Sequence, residues 1–373
     1  MKNNQISSKL SAAATNHLYL IDAARGIASI VVVLSYWKHF WCTGDQPSDS
    51  FERHRQPLYW LLGNCYDHGG GSSVQFFFLL SGFIFFWLYS SGIATGRISG
   101  RRFVVSRFAR LYPLHALTLV AMAGLQAVYK ETHGEYFVYQ WNDAYHLLLN
   151  ILFVQYWGFE RGLSFNGPSW SISVELVLYG AFFLLAYVRR LSLVTTALIV
   201  MAAVIAPRFI PGSRWVAPFE TFFMGGLTYH IWEWYSGRRR VELDVAIIGL
   251  AVSTWLPGGL ADWITTMWPR DYMVRVCVRF PLTLMALIAA ETRWGMWGHR
   301  FSWLGDISYG TYLLHVPLQL LCVIVSTRYG LARDNFYSPT ALVLFLSLVL
   351  GAAVLSCHLF EKPLQEKIKG KWA

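Results

Sequence analysis

The stretch LIDAARGIASIVVVLSYWKHFW, residues 20–41, decides how the rest of the chain is read. At 1.5 Å per residue a helix over it is about 33 Å long, enough to cross the hydrocarbon core of a bilayer. Yet the run carries Arg25, Lys38 and His39. Ionisable groups are costly in hydrocarbon, so they face other helices and take functional or paired roles. Tyr36 follows Arg25 by eleven residues, close to three helical turns, and His39 follows it by fourteen. Helical phase therefore predicts one broad face bearing all three, from a cation near one membrane surface to a titratable ring near the other.

Composition widens this reading to the whole chain. Of 373 residues, 55% are hydrophobic, 17% aromatic and 14% charged, against a soluble norm of about 25% charged. Apolar segments recur from end to end, at 18–41, 74–92, 111–129, 170–188, 192–207, 216–235, 243–257, 275–291, 303–325 and 339–359. This predicts an all-α fold, a single polytopic transmembrane bundle of about ten spans over 1–373, with no long polar stretch left for a soluble domain. The segment 145–158 is apolar but short, and reads as an interfacial or re-entrant helix. Lys and Arg are about twice as frequent on the segments this topology places inside, which predicts both termini cytoplasmic. The net charge of +10 follows from that bias, and nucleic acid is not an expected partner. Membrane lipid is.

Other signals narrow the setting. No N-x-S/T sequon occurs, which favours a bacterial inner (plasma) membrane over a secretory-pathway one. No apolar leader core precedes residue 18, so the first span is expected to serve as the insertion signal. The five cysteines, at 42, 65, 277, 322 and 357, show no metal-binding spacing, and no metal site is expected. Cys42 and Cys65 flank the first outer loop, where a disulfide and plain packing are both open. No internal repeat or matched pair of Gly/Pro-broken helices marks an inverted-repeat transporter.

Three stretches could carry chemistry. In GRISGRRFVVSRFARLYP, residues 96–113, Arg97, Arg101, Arg102, Arg107 and Arg110 crowd together where a helix begins. Arginine forks suit phosphate and pyrophosphate, although such a cluster can also be a topological signal touching only lipid headgroups. In FNGPSWSISVELVLYG, residues 165–180, Glu175 falls one to two turns inside the membrane and needs a partner, for which His39 and Lys38 are at similar depth. A structural ion pair is the plainer alternative. In LGDISYGTYLLHVPL, residues 304–318, His315 precedes Pro317 near mid-span, as a satisfied core histidine or as part of a polar channel. The glycines and serines of VQFFFLLSGFIFFWLY, residues 74–89, permit close helix approach. The tail HLFEKPLQEKIKGKW reads as solvated and facing headgroups.

Taken in order, IDAARGIA, FFFLLSGFI, the RxxR before LYP, GPSWSISVE, LGDISYGTYLLHVPL and the terminal FEKP resemble the acyltransferase-3 family of integral-membrane O-acyltransferases. The resemblance runs through nearly the whole chain. It implies about ten transmembrane helices and no permanently bound cofactor. Acyl-CoA, usually acetyl-CoA, would be the cytoplasmic co-substrate, and the acceptor a hydroxyl of a saccharide, lipid-linked saccharide or envelope polysaccharide precursor. On this resemblance Arg101, Arg102, Arg107 and Arg110 would cradle the nucleotide, and the pantetheine arm would rise past Arg25. The acceptor proton would go to a first-span imidazole, with Glu175 orienting the ring.

The chain departs from the family at one point. The pattern is an Arg, ten residues, then a His taken as catalytic; Arg25 fits, but the next position is Tyr36, and His39 lies one turn beyond. Tyr36 could donate a hydrogen bond to a developing oxyanion, but a phenol with a pKa near 10 is a poor base. Three readings are open: His39 does the base's work, the chain is a catalytically impaired homologue or carrier of the same fold, or position 36 is an alteration. A proton-coupled transporter using His39, Glu175 and Lys38 is a rival from a different class.

Overall fold

The expected uninterrupted first span changes gauge part-way along. In the computed structural model, which describes residues 17–267, 271–294 and 297–372, helix α1 covers Tyr19–Ser35 and stops. Tyr36 sits at φ −88°, ψ 0°, and Trp37–Trp41 continue as a 3₁₀ turn. The tighter turn eclipses residues three apart, so Tyr36 and His39 stack along one edge rather than following α-helical phase. Of the residues counted in the charge bias, Lys2, Lys9 and Arg270 lie outside the described residues.

Among the described residues the fold is all-α, apart from a hairpin pairing Cys42–Thr43 with Gln46–Pro47. After α1 come α2 (Tyr59–Ala94), α3 (Gly100–His133), α4 (Ala144–Ile151), α5 (Trp170–Tyr187), α6 (Leu193–Ile205), α7 (Val216–Ser236), α8 (Val241–Ser253), α9 (Leu260–Met267), α10 (Asp271–Val274), α11 (Phe280–Trp294), α12 (Trp303–Arg328), α13 (Pro339–Ser356) and α14 (Lys362–Trp372). Among the described residues, 7 helical segments are long and apolar enough to cross a membrane: Tyr19–Trp41, Tyr59–Ala94, Gly100–His133, Gly167–Tyr187, Asp271–Trp294, Gly298–Arg328 and Pro339–Lys371.

Three of the ten expected spans fall outside that set. The segments 192–207 and 243–257 become α6 and α8, of 13 residues each and so only about 20 Å long. The segment 216–235 becomes α7, long enough at 21 residues but carrying Glu220 and Glu233. All five cysteines are free, Cys42 and Cys65 included. The short apolar segment after residue 143 is α4, capped by Asp143, whose carboxylate accepts from the His146 N–H at 2.8 Å.

The chain divides into two units. Of the described residues, the first comprises 17–26, 75–98, 182–267, 271–294 and 297–305. Here a Cβ on Gly82 would overlap the Phe222 carbonyl, and one on Gly225 the Leu79 carbonyl. Glycine at both positions lets α2 and α7 approach backbone to backbone. Phe85, Phe86, Phe182, Phe222 and Phe223 fill the space around that contact. At the start of α1, Glu291 accepts the Tyr19 and Leu20 N–H groups at 2.7 and 2.8 Å, capping a helix end whose dipole favours a carboxylate. Buried Asp244 is met by Arg239 at 2.9 Å and Tyr235 at 2.6 Å.

The second unit comprises 27–74, 99–181 and 306–372 of the described residues. Its core is aromatic and closes on the 3₁₀ turn: Phe40 stacks on Phe336 at 4.0 Å and Trp41 on Tyr337 at 4.2 Å. Trp37 donates its indole N–H to the Phe336 carbonyl at 3.1 Å. The opposite edge of the turn, carrying Tyr36 and His39, faces polar groups. Burying both faces of so short a segment fixes which way those two rings point.

Candidate active site

The polar groups that pack together belong to the second unit. Tyr36 packs against two imidazoles: its ring meets His39 and His315 edge to face, with centroids 4.9 Å away in each case. The backbone of position 36 is pinned by Gln319, whose side-chain N–H donates to the Tyr36 carbonyl at 2.9 Å. The Tyr36 hydroxyl is hydrogen-bonded to Tyr139, which follows Val138, a non-glycine residue at φ 58°. Tyr139 also lies edge to face with His39 at 6.2 Å, and burial pushes its phenol pKa well above the ordinary value. It is a hydrogen-bonding group there, not an acid.

From this group a row of hydroxyls continues along α12 and α5. The Tyr312 hydroxyl bonds the Ser171 Oγ and the Pro168 carbonyl, both at 2.8 Å. Tyr36 and Glu175 both lie within electrostatic reach of Tyr312. Glu175 accepts from the Tyr179 hydroxyl one turn on. Tyr179 in turn feels Arg107 and Arg110, and Tyr309 feels Glu361, Glu175 and Arg110. Tyr309 donates to the Leu111 carbonyl. The row therefore runs from the basic start of α3 to His39.

The same unit holds buried polar atoms without a hydrogen-bond partner: His39 Nδ1, Asn166 Oδ1, Ser173 Oγ, Thr311 Oγ1 and Gln319 Oε1. Native interiors satisfy the great majority of such atoms, so a cluster of exceptions in one unit calls for an explanation. A polar occupant is the simplest.

The structure distributes the expected site residues unevenly. It gathers Tyr36 and His39 at one end of the row, Arg107 and Arg110 at the other, and Glu175 between them. Glu175 meets Tyr179 and the arginines, while Lys38 and His315 are the groups whose charge acts on His39. Lys38 is exposed. Arg101 and Arg102 are exposed at the capped start of α3, where Ser99 Oγ accepts the Arg102 N–H at 3.2 Å. Arg25 belongs to the first unit. It bridges to Asp22 at 3.1 Å and donates to the Gly305 carbonyl at 2.7 Å.

Sequence reasoning missed several members of the row. Tyr309, Tyr312 and Gln319 share one helix face with His315, which the sequence offers for a polar channel; the spacings of three, three and four were available to read. Tyr179 sits four residues beyond Glu175 in the same way. The tail's lysines, Lys362, Lys367, Lys369 and Lys371, are exposed as expected, but α14 is not solvated all round. This helix packs along α3 and brings Lys369 within electrostatic reach of Arg107 and Arg110. A π-turn at Cys357–Glu361 precedes α14.

The family model described as "Acyltransferase domain" (Acyl_transf_3) matches residues 18–359, both units of the fold. The chain belongs to the acyltransferase-3 family of membrane acyltransferases. It is similar to "Acyltransferase MdmB" of Streptomyces mycarofaciens, 30% identical over 276 residues, covering 66% of this chain and 67% of that protein. It is also similar to "Protein 2 in picA locus" of Rhizobium radiobacter, 27% identical over 184 residues, covering 45% of this chain and 82% of that protein. No solved structure matches the chain significantly.

Proposed function

We propose that the chain is an O-acyltransferase of a bacterial inner membrane, moving an acyl group, an acetyl in the simplest case, from cytoplasmic acyl-CoA to a hydroxyl of a saccharide or envelope polysaccharide precursor. In this reading α6, α7 and α8 complete about ten crossings and both termini are cytoplasmic. The observation that carries it is the buried polar row between Arg107 and Arg110 at one end and His39 at the other. A basic helix start suits the nucleotide phosphates. Imidazole is the side chain whose ordinary titration range lies nearest to operating pH, which suits it to take up a hydroxyl proton.

The acceptor oxygen attacks the thioester carbonyl carbon, the C–O bond forms and the C–S bond breaks. His39 takes the hydroxyl proton, which ends on the CoA sulfur. Arg107 and Arg110 bind the donor, joined by Arg101 and Arg102 at the exposed entrance. Arg25 keeps the role of a cation near the inner surface. Glu175, hydrogen-bonded to Tyr179, balances the arginines and orders the hydroxyl row rather than orienting His39 directly. Tyr36 and Tyr139 form one wall of the reaction space.

The residue at position 36 favours one second reading: a homologue of impaired activity that binds its substrates without turning them over. The two separate in membranes supplied with acetyl-CoA and saccharide acceptors. Acyl transfer by the chain as it stands, abolished in His39→Ala and Arg107→Ala, supports the first. Transfer that occurs only in Tyr36→His supports the second.

A further inference from the structure

The segment Asp271–Trp294 is long and apolar enough to cross a membrane, yet it carries Arg275 and Arg279. Its backbone changes gauge there: Arg275–Arg279 form a π-turn between α10 and α11. Single π-turns inside helices occur frequently at functional sites. This one sorts its side chains. Tyr272 and Cys277, five residues apart, both reach the buried carboxylate of Glu220, the hydroxyl donating at 3.1 Å and the thiol at 3.9 Å. Asp271 and Arg275, four apart, bridge to each other at 3.4 Å instead, and Arg279 follows at the same spacing.

Arg279 is held in place but not neutralised. Its guanidinium lies over the Trp255 ring, 5.1 Å from the centroid. The Trp255 indole N–H donates to Thr283 Oγ1 at 2.9 Å, so α11 fixes both the cation and the ring beneath it. Arg279 Nε is buried without a hydrogen-bond partner, and among the described residues Arg279 forms no ion pair. Eight residues, about 12 Å of helix, separate it from Asp271. A cation at such depth calls for an anion, and an aromatic face supplies only part of what a charge would.

The surroundings say which anion. Trp255 and Leu256 are 56% and 55% exposed, so the cation opens onto an apolar surface. In a membrane, a lipid brings negative charge and hydrocarbon to such a surface together. A guanidinium fork matches phosphate oxygens in geometry and charge. Two guanidiniums, of Arg275 and Arg279, stand here against the one carboxylate of Asp271, which fits a headgroup of net negative charge better than a zwitterionic one. We infer that Arg279, with Arg275, binds the phosphate of an anionic membrane lipid beside the Trp255 ring. This site belongs to the first unit and holds whether or not the chain transfers acyl groups.

The test titrates the purified full-length protein, stripped of lipid in detergent micelles, with phosphatidylglycerol, phosphatidylcholine or inorganic phosphate. Native mass spectrometry counts bound lipid, and unfolding temperature is followed alongside. The expected result is a phosphatidylglycerol held about ten- to a hundred-fold more tightly by the parent chain than by Arg279→Gln. Arg275→Gln weakens it too, and Arg279→Lys, which keeps the charge but loses the fork, falls between. Phosphatidylglycerol raises the unfolding temperature of the parent chain and not of Arg279→Gln, while phosphatidylcholine and inorganic phosphate raise neither. Trp255→Leu, a change at an exposed position, takes the place of Arg279→Gln should the latter not fold, and also weakens binding. Equal phosphatidylglycerol affinity in the parent chain and in Arg279→Gln or Trp255→Leu overturns the inference. Phosphatidylcholine bound as tightly as phosphatidylglycerol shows contact with bulk lipid only and overturns it as well. Stabilisation by inorganic phosphate alone makes this a free-anion site and has the same consequence.

Discussion

Gln319 donates its side-chain N–H to the Tyr36 carbonyl at 2.9 Å, at the residue where α1 has ended and the 3₁₀ turn begins. The same carbonyl accepts the His39 N–H within the turn at 3.0 Å, and a carbonyl oxygen has room for both donors. The Gln319 bond sets the height of α12 against the turn, bringing His315 and His39 to the same aromatic ring.

Removing that bond separates position from chemistry. Gln319→Leu leaves the Tyr36 carbonyl with only the His39 N–H and is expected to cost about 0.5–1.5 kcal/mol of stability, the net worth of one hydrogen bond. It should also lower turnover more than donor binding, because Arg107 and Arg110 are untouched. Thermal unfolding alongside the kcat and KM for acetyl-CoA checks both. An unchanged kcat would show that the turn is held by its aromatic face alone.

The basic end is predicted to govern donor affinity. Arg107→Ala and Arg110→Ala should each raise KM for acyl-CoA about ten- to a hundred-fold, the worth of a charged hydrogen bond. Lys369→Glu should raise it too, since α14 carries that charge to the same place. The effect should weaken with added salt, because the helix start is open to solvent. Initial rates over a series of acetyl-CoA and salt concentrations decide it.

The first unit offers a packing prediction with no chemistry in it. Gly82→Val and Gly225→Leu would force α2 and α7 apart at a carbonyl contact. Overpacking of this kind costs about 1–3 kcal/mol. The expected outcome is a lower yield of folded protein and a lower unfolding temperature, with KM for acyl-CoA unchanged in what does fold.

A pH dependence follows from the cap of α4. The His146 N–H and ring hold the Asp143 carboxyl below its ordinary value. A carboxylate whose folded pKa is depressed stabilises above its unfolded pKa, about 3.9, and the stabilisation is lost as pH falls through the lower folded value. The stability of the parent chain should therefore fall in that acid range more steeply than that of Asp143→Asn, which cannot titrate. Unfolding temperatures between pH 6 and pH 3, values chosen to bracket about 3.9, read the difference.

How much of this was legible beforehand depends on the range of the interaction. The apolar runs around Arg25 and Phe78 announced membrane helices, because spanning length and composition are local properties. The basic cluster at Arg107 and Arg110 was equally plain. Helical phase misled at residues 36–39, since nothing short-range distinguishes a 3₁₀ turn from a fourth α-turn; the aromatic clamp of Phe336 and Tyr337, some three hundred residues away in sequence, makes that choice. Glu175 was matched to His39 by depth alone, whereas its hydroxyl partner stood four residues along its own helix. Tyr139 arrives from a loop with Val138 in the left-handed region, and no periodicity could have placed it. The α14 tail looked solvated because its charges hid the face that packs on α3.

The central claim is that the buried row in the second unit connects a donor site at Arg107 and Arg110 to a proton acceptor at His39. It is tested most directly by acyl-CoA-dependent release of CoA thiol in membranes containing the parent chain or His39→Ala. The account predicts release by the parent chain that depends on added acceptor, and a fall of about 10²–10⁴-fold in His39→Ala with donor binding retained. Full activity in His39→Ala would contradict it.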